Sequence, residues 1–251
     1  MNTKSALLAD LRARVEQIEG QSTRVETTLP FGLPEIDEKL RGRGLAYGAT
    51  HEIAGGGSDT VTGAVSALFV AGIAARTSGP VIWCLNRDDL FAPALQQVGL
   101  KPDRVIFVQS PDETSVMESY EEALQWRGLG TVVCELVRLP MKESRRFQLA
   151  AEQGRNLGLI IRRWRRQPEA TDFGSPTASA TRWRVSSAPS VALPVPGVGH
   201  ARWSVELMRA RGGECSDWIV EACDHQGFLH PTGADAAPDR WDLDVGIFGA
   251  L

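Results

Sequence analysis

Residues 52–62 read Glu52-Ile53-Ala54-Gly55-Gly56-Gly57-Ser58-Asp59-Thr60-Val61-Thr62. A strand-forming apolar run passes through glycines into a stretch with helical spacing. This is the setting in which a helix N-terminus cradles phosphate. Aligned on Gly55, the phosphate-loop pattern GxxxxGK[ST] puts Thr60 at the second glycine, Val61 at the lysine and Thr62 at the magnesium-holding hydroxyl. Only Gly55 and Thr62 keep the residue type the motif needs. Valine supplies no cation, a β-branched Thr60 disfavours positive φ, and Asp59 adds negative charge where phosphate would sit. Losing the lysine alone forfeits a charge-assisted contact of about 1.5–3 kcal/mol. The segment therefore predicts the frame of a nucleotide site without its chemistry: no ATP cofactor and no catalytic residues are expected.

Outward from this loop, short apolar runs alternate with helical stretches. Thr50–Ala54, Pro80–Leu85, Arg104–Val108, Thr131–Leu136 and Gly158–Ile161 read as strands; Thr62–Ala75, Leu90–Val98, Glu113–Trp126 and Lys142–Asn156 read as helices. Strict alternation predicts an α/β fold with a mostly parallel central sheet covered by helices on both faces. The aromatic and β-branched runs Arg182–Ser187, Arg202–Ala210 and Asp217–Cys223 predict antiparallel strands on its C-terminal side.

The chain divides into residues 1–23, an amphipathic helix and linker; 24–224, the core; and 225–251, a tail. In the first segment Leu7, Leu8, Leu11, Val15 and Ile18 form an apolar stripe that packs on its own domain or docks on another subunit. In the tail, Trp241 and Phe248 lie in a polar context, suited to folding on a partner or packing back on the body.

The 251 residues, 43% of them hydrophobic, suffice for one sizeable core. A net charge of -4 gives no global attraction to nucleic acid, so any such contact must come from local arginines. Arg162, Arg163, Trp164, Arg165 and Arg166 crowd together, and Arg182-Trp183-Arg184 follows. Arginines grip phosphates and tryptophans offer faces for bases, so these residues are candidates for a single-stranded DNA or partner site. The alternative is a structural patch, with Trp183 pointing inward. Glu135, ending an apolar strand, is a weak candidate for a magnesium-holding carboxylate. Cys84, Cys134, Cys215 and Cys223 form no CxxC pair and read as reduced thiols, and His51, His200, His225 and His230 lack metal-ligand spacing. No basic start leads into an apolar run, and no stretch approaches the ~20 apolar residues of a membrane span, which points to the cytoplasm.

The stretch from Leu29 to Ile53, LPFGLPEIDEKLRGRGLAYGATHEI, resembles RecA and its relatives in the placing of Gly32, Leu33, Ile36, Asp37, Leu40, Gly42, Gly44, Leu45 and Gly48. The likeness continues through Val98-Gly99-Leu100 and Gly158–Ile161 to the loop Asp172-Phe173-Gly174-Ser175-Pro176, covering most of Gln21 to Asp224. By this resemblance that loop corresponds to one that contacts DNA in RecA, Arg162-Arg163 replace a polar pair that senses nucleotide, and the N-terminal helix corresponds to one that docks on a neighbouring subunit. Among RecA relatives, the degenerate loop, Arg182-Trp183-Arg184 and the run from Arg202 to Leu207 resemble the ImuA family. That resemblance implies a bacterial accessory protein of DNA-damage-induced mutagenic translesion synthesis. It would work beside an ImuB-like, catalytically inactive Y-family polymerase homologue and an error-prone C-family DNA polymerase; RecA and single-stranded DNA are further candidate partners. SulA-like cell-division inhibitors, which bind the tubulin-like division protein, share the ATP-less outline, and a residual nucleotide-binding ATPase is the third reading.

Overall fold

The computed structural model describes residues 27–56, 59–164, 173–191, 197 and 199–232. The N-terminal stripe Leu7, Leu8, Leu11, Val15 and Ile18, together with Arg165, Arg166, Trp241 and Phe248, lies outside the described residues.

A small antiparallel pair, β1 (Thr28–Leu29) and β2 (Leu45–Ala46), encloses a short helix α1 (Pro34–Asp37). The main sheet then alternates as the sequence predicts: β3 (Ala49–Gly55), α2 (Asp59–Ala75), β4 (Val81–Leu85), α3 (Ala92–Gln97), β5 (Val105–Gln109), α4 (Glu113–Gln125), β6 (Thr131–Leu136), α5 (Met141–Gly154) and β7 (Leu157–Arg162). β8 (Thr181–Ala188), β9 (Arg202–Ala210), β10 (Ser216–Glu221) and β11 (His230–Pro231) follow. The spatial order is β11-β10-β9-β8-β3-β7-β6-β4-β5. Strands from β8 to β5 are parallel, and β9, β10 and β11 are antiparallel additions beyond β8. This is the RecA-like α/β architecture, with β3, the strand that leads into the glycine-rich loop, in the interior of the sheet.

Period-2 alternation assigns the two faces. Ile53, Val133, Ile161 and Trp183 join α2 residues Phe69, Val70 and Ile73 in one core; Val132, Cys134 and Ile160 join Tyr120 of α4 and Phe147 of α5 in another. From Ser66 to Ala74 helix α2 is almost wholly buried and predominantly apolar, as a helix packed beneath a sheet is. Trp183 sits at its centre, 5.2 Å from Phe31, 6.3 Å from Phe69 and 6.4 Å from Trp218 between ring centroids.

The core runs on past the boundary placed at residue 224. Asp224 accepts hydrogen bonds from the backbone of Gln226 and Phe228 and sits 2.9 Å from His230 Nε2. Leu229 is buried and β11 closes the sheet. A Gly/Asp-rich composition reads as tail, but here it forms a tight turn that returns one leucine to the core.

β5 leaves the opposite edge uncovered. Its neighbouring residues Ile106 and Phe107 point to opposite faces and are 54% and 43% exposed, although nothing polar separates them. An apolar groove of about 440 Å³ runs beside Ile106, lined by Ile82, Val108, Ala123, Leu129 and the exposed Trp126.

Candidate nucleotide-type site and its charge network

Ligands of open parallel sheets sit beyond the carboxyl ends of the strands. There Gly55 ends β3 and Gly56 donates to Val185 O at 3.0 Å. A Cβ on Gly56 would meet Ser186 Cβ at 2.8 Å, so only glycine lets the chain pass β8. Thr60, Val61 and Thr62 fall in the first turns of α2.

Glu135, near the end of β6, faces the same side of the sheet as Val133, the side on which α2 lies. It accepts a hydrogen bond from Trp83 Nε1 at 2.9 Å and an ion pair from Arg163 Nη1 at 2.6 Å. Arg163 also grips Asp89 with both terminal nitrogens, at 2.8 and 3.0 Å. Partial burial works against Asp89's charge, but the hydrogen bonds and charge of Arg163 outweigh it and hold its carboxyl below the usual range. The ends of β6 and β7 and the loop after β4 are therefore laced together by one guanidinium. A nucleotide fold implies a magnesium-bound triphosphate here, and these residues do not fit one. Glu135, the carboxylate that the sequence offered as a metal candidate, is already paired with Arg163.

A second network lies on the other face. Glu52, fully buried in β3, meets Arg162 Nη1 at 3.4 Å and Arg182 Nε at 2.5 Å. Arg162 also donates to Val137 O, and Arg182 to Ser175 O, both at 2.7 Å. Thr177 Oγ1 donates to Glu52 at 3.3 Å. The Phe173 ring lies 5.3 Å from the Arg182 guanidinium carbon and 5.9 Å from that of Arg162. Trp164 is buried against Phe173, with ring centroids 5.6 Å apart.

Among the described residues of the two basic clusters, the arrangement favours the structural patch over an exposed one. Arg162, Trp164, Arg182 and Trp183 are buried, Arg163 is committed to two carboxylates, and Arg184 pairs with Glu206 at 3.1 Å. Buried charges need partners, and a carboxylate distant in sequence supplies them. The residue that sequence reading missed is Glu52; its strand also carries Thr50 and His51, so no local pattern marked the acid as buried. Among the described residues no group of histidine, cysteine and carboxylate side chains could hold a metal. Nor is any helix there long and apolar enough to cross a membrane.

At the far end of the sheet His51 is buried beneath a cavity of about 410 Å³. Its Nε2 faces Ala46 O at 3.1 Å, so Nε2 carries the proton; Nδ1 accepts from Thr181 Oγ1 at 2.8 Å, which accepts from Trp183 Nε1 at 2.7 Å. Burial pushes the imidazole down to about 4, against a weaker opposing pull from its hydrogen bond to Ala46.

No family model matches the chain. Over 221 residues it is 38% identical to Protein ImuA from two strains of Caulobacter vibrioides, covering 83% of this chain and 89% of each relative. The chain belongs to the ImuA family. Membership agrees with the resemblance read from the sequence, and coverage of most of both chains means that the ImuA likeness spans the core rather than one motif. In this ImuA family chain, the RecA outline is kept while the strand ends are occupied by protein charges.

Proposed function

We propose that this chain is a non-catalytic RecA-like adaptor in DNA-damage-induced mutagenic translesion synthesis. In that role it binds an ImuB-like inactive Y-family polymerase homologue and an error-prone C-family polymerase. The observation that carries the reading is the Glu135–Arg163–Asp89 link at the strand ends, where a working nucleotide site needs an available carboxylate. Val61 at the lysine position supports it from the sequence. The uncovered β5 edge supports it from the surface, since an edge strand with exposed apolar side chains is suited to a partner adding a strand. Membership of the ImuA family supplies the mutagenesis context.

The test has two halves. Purified chain is mixed with ATP and magnesium and phosphate release is followed; separately, it is used to capture the recombinant ImuB-like protein and polymerase. The adaptor reading expects release at the level of a Thr62→Ala control together with capture of the ImuB-like protein. Turnover above that control favours a residual ATPase. Co-sedimentation with the tubulin-like division filament and no capture favours a division inhibitor.

A further inference from the structure

Among the described residues no strand lies beyond β5 on its outer side. Val105–Gln109 carries no charge and no proline, and its register with β4 runs without a bulge. Arg104, the cation immediately before it, is turned back onto the carbonyl oxygens of Ala75, Thr77 and Gly79 at 2.6 to 2.8 Å. That arginine is committed to the end of α2 and does not guard the strand. The other edge of the sheet is protected, because short strands, proline and charge all discourage strand addition. There β11 is two residues long and ends in Pro231, and the part of β10 beyond it exposes Asp217.

Two apolar surfaces meet at the unguarded edge. Phe107 lies across from Trp83 of β4, with ring centroids 6.4 Å apart, on the α2 side of the sheet. Ile106 and Val108, across from Ile82 and Cys84, lie on the α4 side, beside the groove of about 440 Å³ walled by Ala123, Trp126 and Leu129. The charged residues of the groove lining are one acid and one base, Glu122 and Arg127, so their formal charges cancel.

We propose that β5 pairs antiparallel with β5 of a second copy of this chain, about a two-fold axis that passes through Phe107 normal to the sheet. That operation keeps the α2 side of both copies on one face and the α4 side on the other. Phe107 then meets Phe107 of the second copy, and Ile106 of each copy stands opposite Val108 of the other. Aromatic and β-branched pairs of this kind stabilise sheets, whereas like charges set directly opposite destabilise them. A two-fold contact brings a surface against itself, so a charged strand repels its own copy and an uncharged one beside a neutral groove accepts it. This charge pattern is what selects a second copy as the occupant. One short strand a side makes a small interface, so the pairing is weak and reversible. It covers the same edge that the proposed function leaves to a strand-adding partner, which makes the two mutually exclusive; only that exclusion rests on the proposed function.

Sedimentation velocity of the full chain from about 5 µM to about 500 µM, the range in which a small interface fills, tests the pairing. A single monomer–dimer equilibrium is expected. Ile106→Lys moves its midpoint to about tenfold higher concentration or beyond, while Ile219→Lys, at a comparably exposed isoleucine of β10, leaves it in place. The thermal midpoint of each variant, read at the low end of the range, reports that it is folded. A chain that stays monomeric throughout, growth past two copies, or equal association in the two lysine variants overturns the proposal. Adding the ImuB-like protein separates it from the adaptor reading. Capture by a chain that never dimerises overturns the self-pairing alone, a dimer that captures nothing overturns the adaptor reading alone, and a dimer intact inside the complex overturns their mutual exclusion.

Discussion

Glu52 and Arg182 stand directly opposite each other on the adjacent parallel strands β3 and β8, with Arg182 Nε 2.5 Å from Glu52 Oε2. Arg162 meets the other carboxylate oxygen from β7 on the opposite side of β3, so one buried acid serves two buried bases. The pairs do more to fix geometry than to add net stability, because all three groups gave up hydration to enter the core.

Removing the acid is the severe change. Glu52→Gln leaves two enclosed guanidinium groups without a counter-charge and is expected to lower stability by about 3–5 kcal/mol in urea unfolding. A loss under about 1 kcal/mol would mean that water reaches the network.

Acid weakens the fold through His51. Its folded value of about 4 lies below the ordinary 6.5, so the unfolded chain takes the proton first as pH falls. The contribution is complete above pH 6.5, declines as pH falls toward 4, and is gone below that. Over this window it amounts to about 3 kcal/mol. His51→Gln should flatten that part of a stability-versus-pH curve measured by chemical denaturation; an unchanged slope would assign the acid sensitivity to other groups.

Three of the four thiols should be silent in the native protein. Burial pushes Cys84 and Cys223 up to about 12 and Cys134 well above its ordinary value, whereas Cys215 is exposed. A disulfide reagent at mildly alkaline pH is expected to titrate Cys215 quickly and the others only after denaturant is added. Rapid reaction of a second native thiol would contradict the packing around the sheet.

Restoring the lysine alone should not restore an enzyme. In Val61→Lys the Glu135 carboxylate remains tied to Arg163, so phosphate release should stay at the Thr62→Ala background. Magnesium-dependent turnover in this single variant would show that the ion pair opens readily.

The β5 edge gives a surface prediction. Ile106→Lys puts a charge on an exposed edge position, where it should shift the thermal midpoint little, since exposed substitutions usually stay within about 0.5 kcal/mol. Capture of the ImuB-like protein is expected to fall about tenfold. Capture at the parental level would place that contact elsewhere.

Periodicity carried the architecture well: every strand and helix read between Thr50 and Cys223 is present, with ends moved by a few residues. What periodicity could not carry was pairing. Arg162 and Arg182 look like surface charge in a local window because their partner, Glu52, lies 110 and 130 residues away in the chain. Trp183 was open to either face until the sheet order placed it among Phe31, Phe69 and Trp218. Glu135 was visible as a strand-end acid, but its neutralisation depends on a β6–β7 neighbourhood that no local pattern reports.

The fastening of Phe173, Ser175 and Thr177 to the two buried arginines has a further consequence. This stretch borrows its shape from the interior and cannot drift in sequence or posture on its own terms. Substitutions in it will therefore be felt first as changes in the melting of the whole molecule.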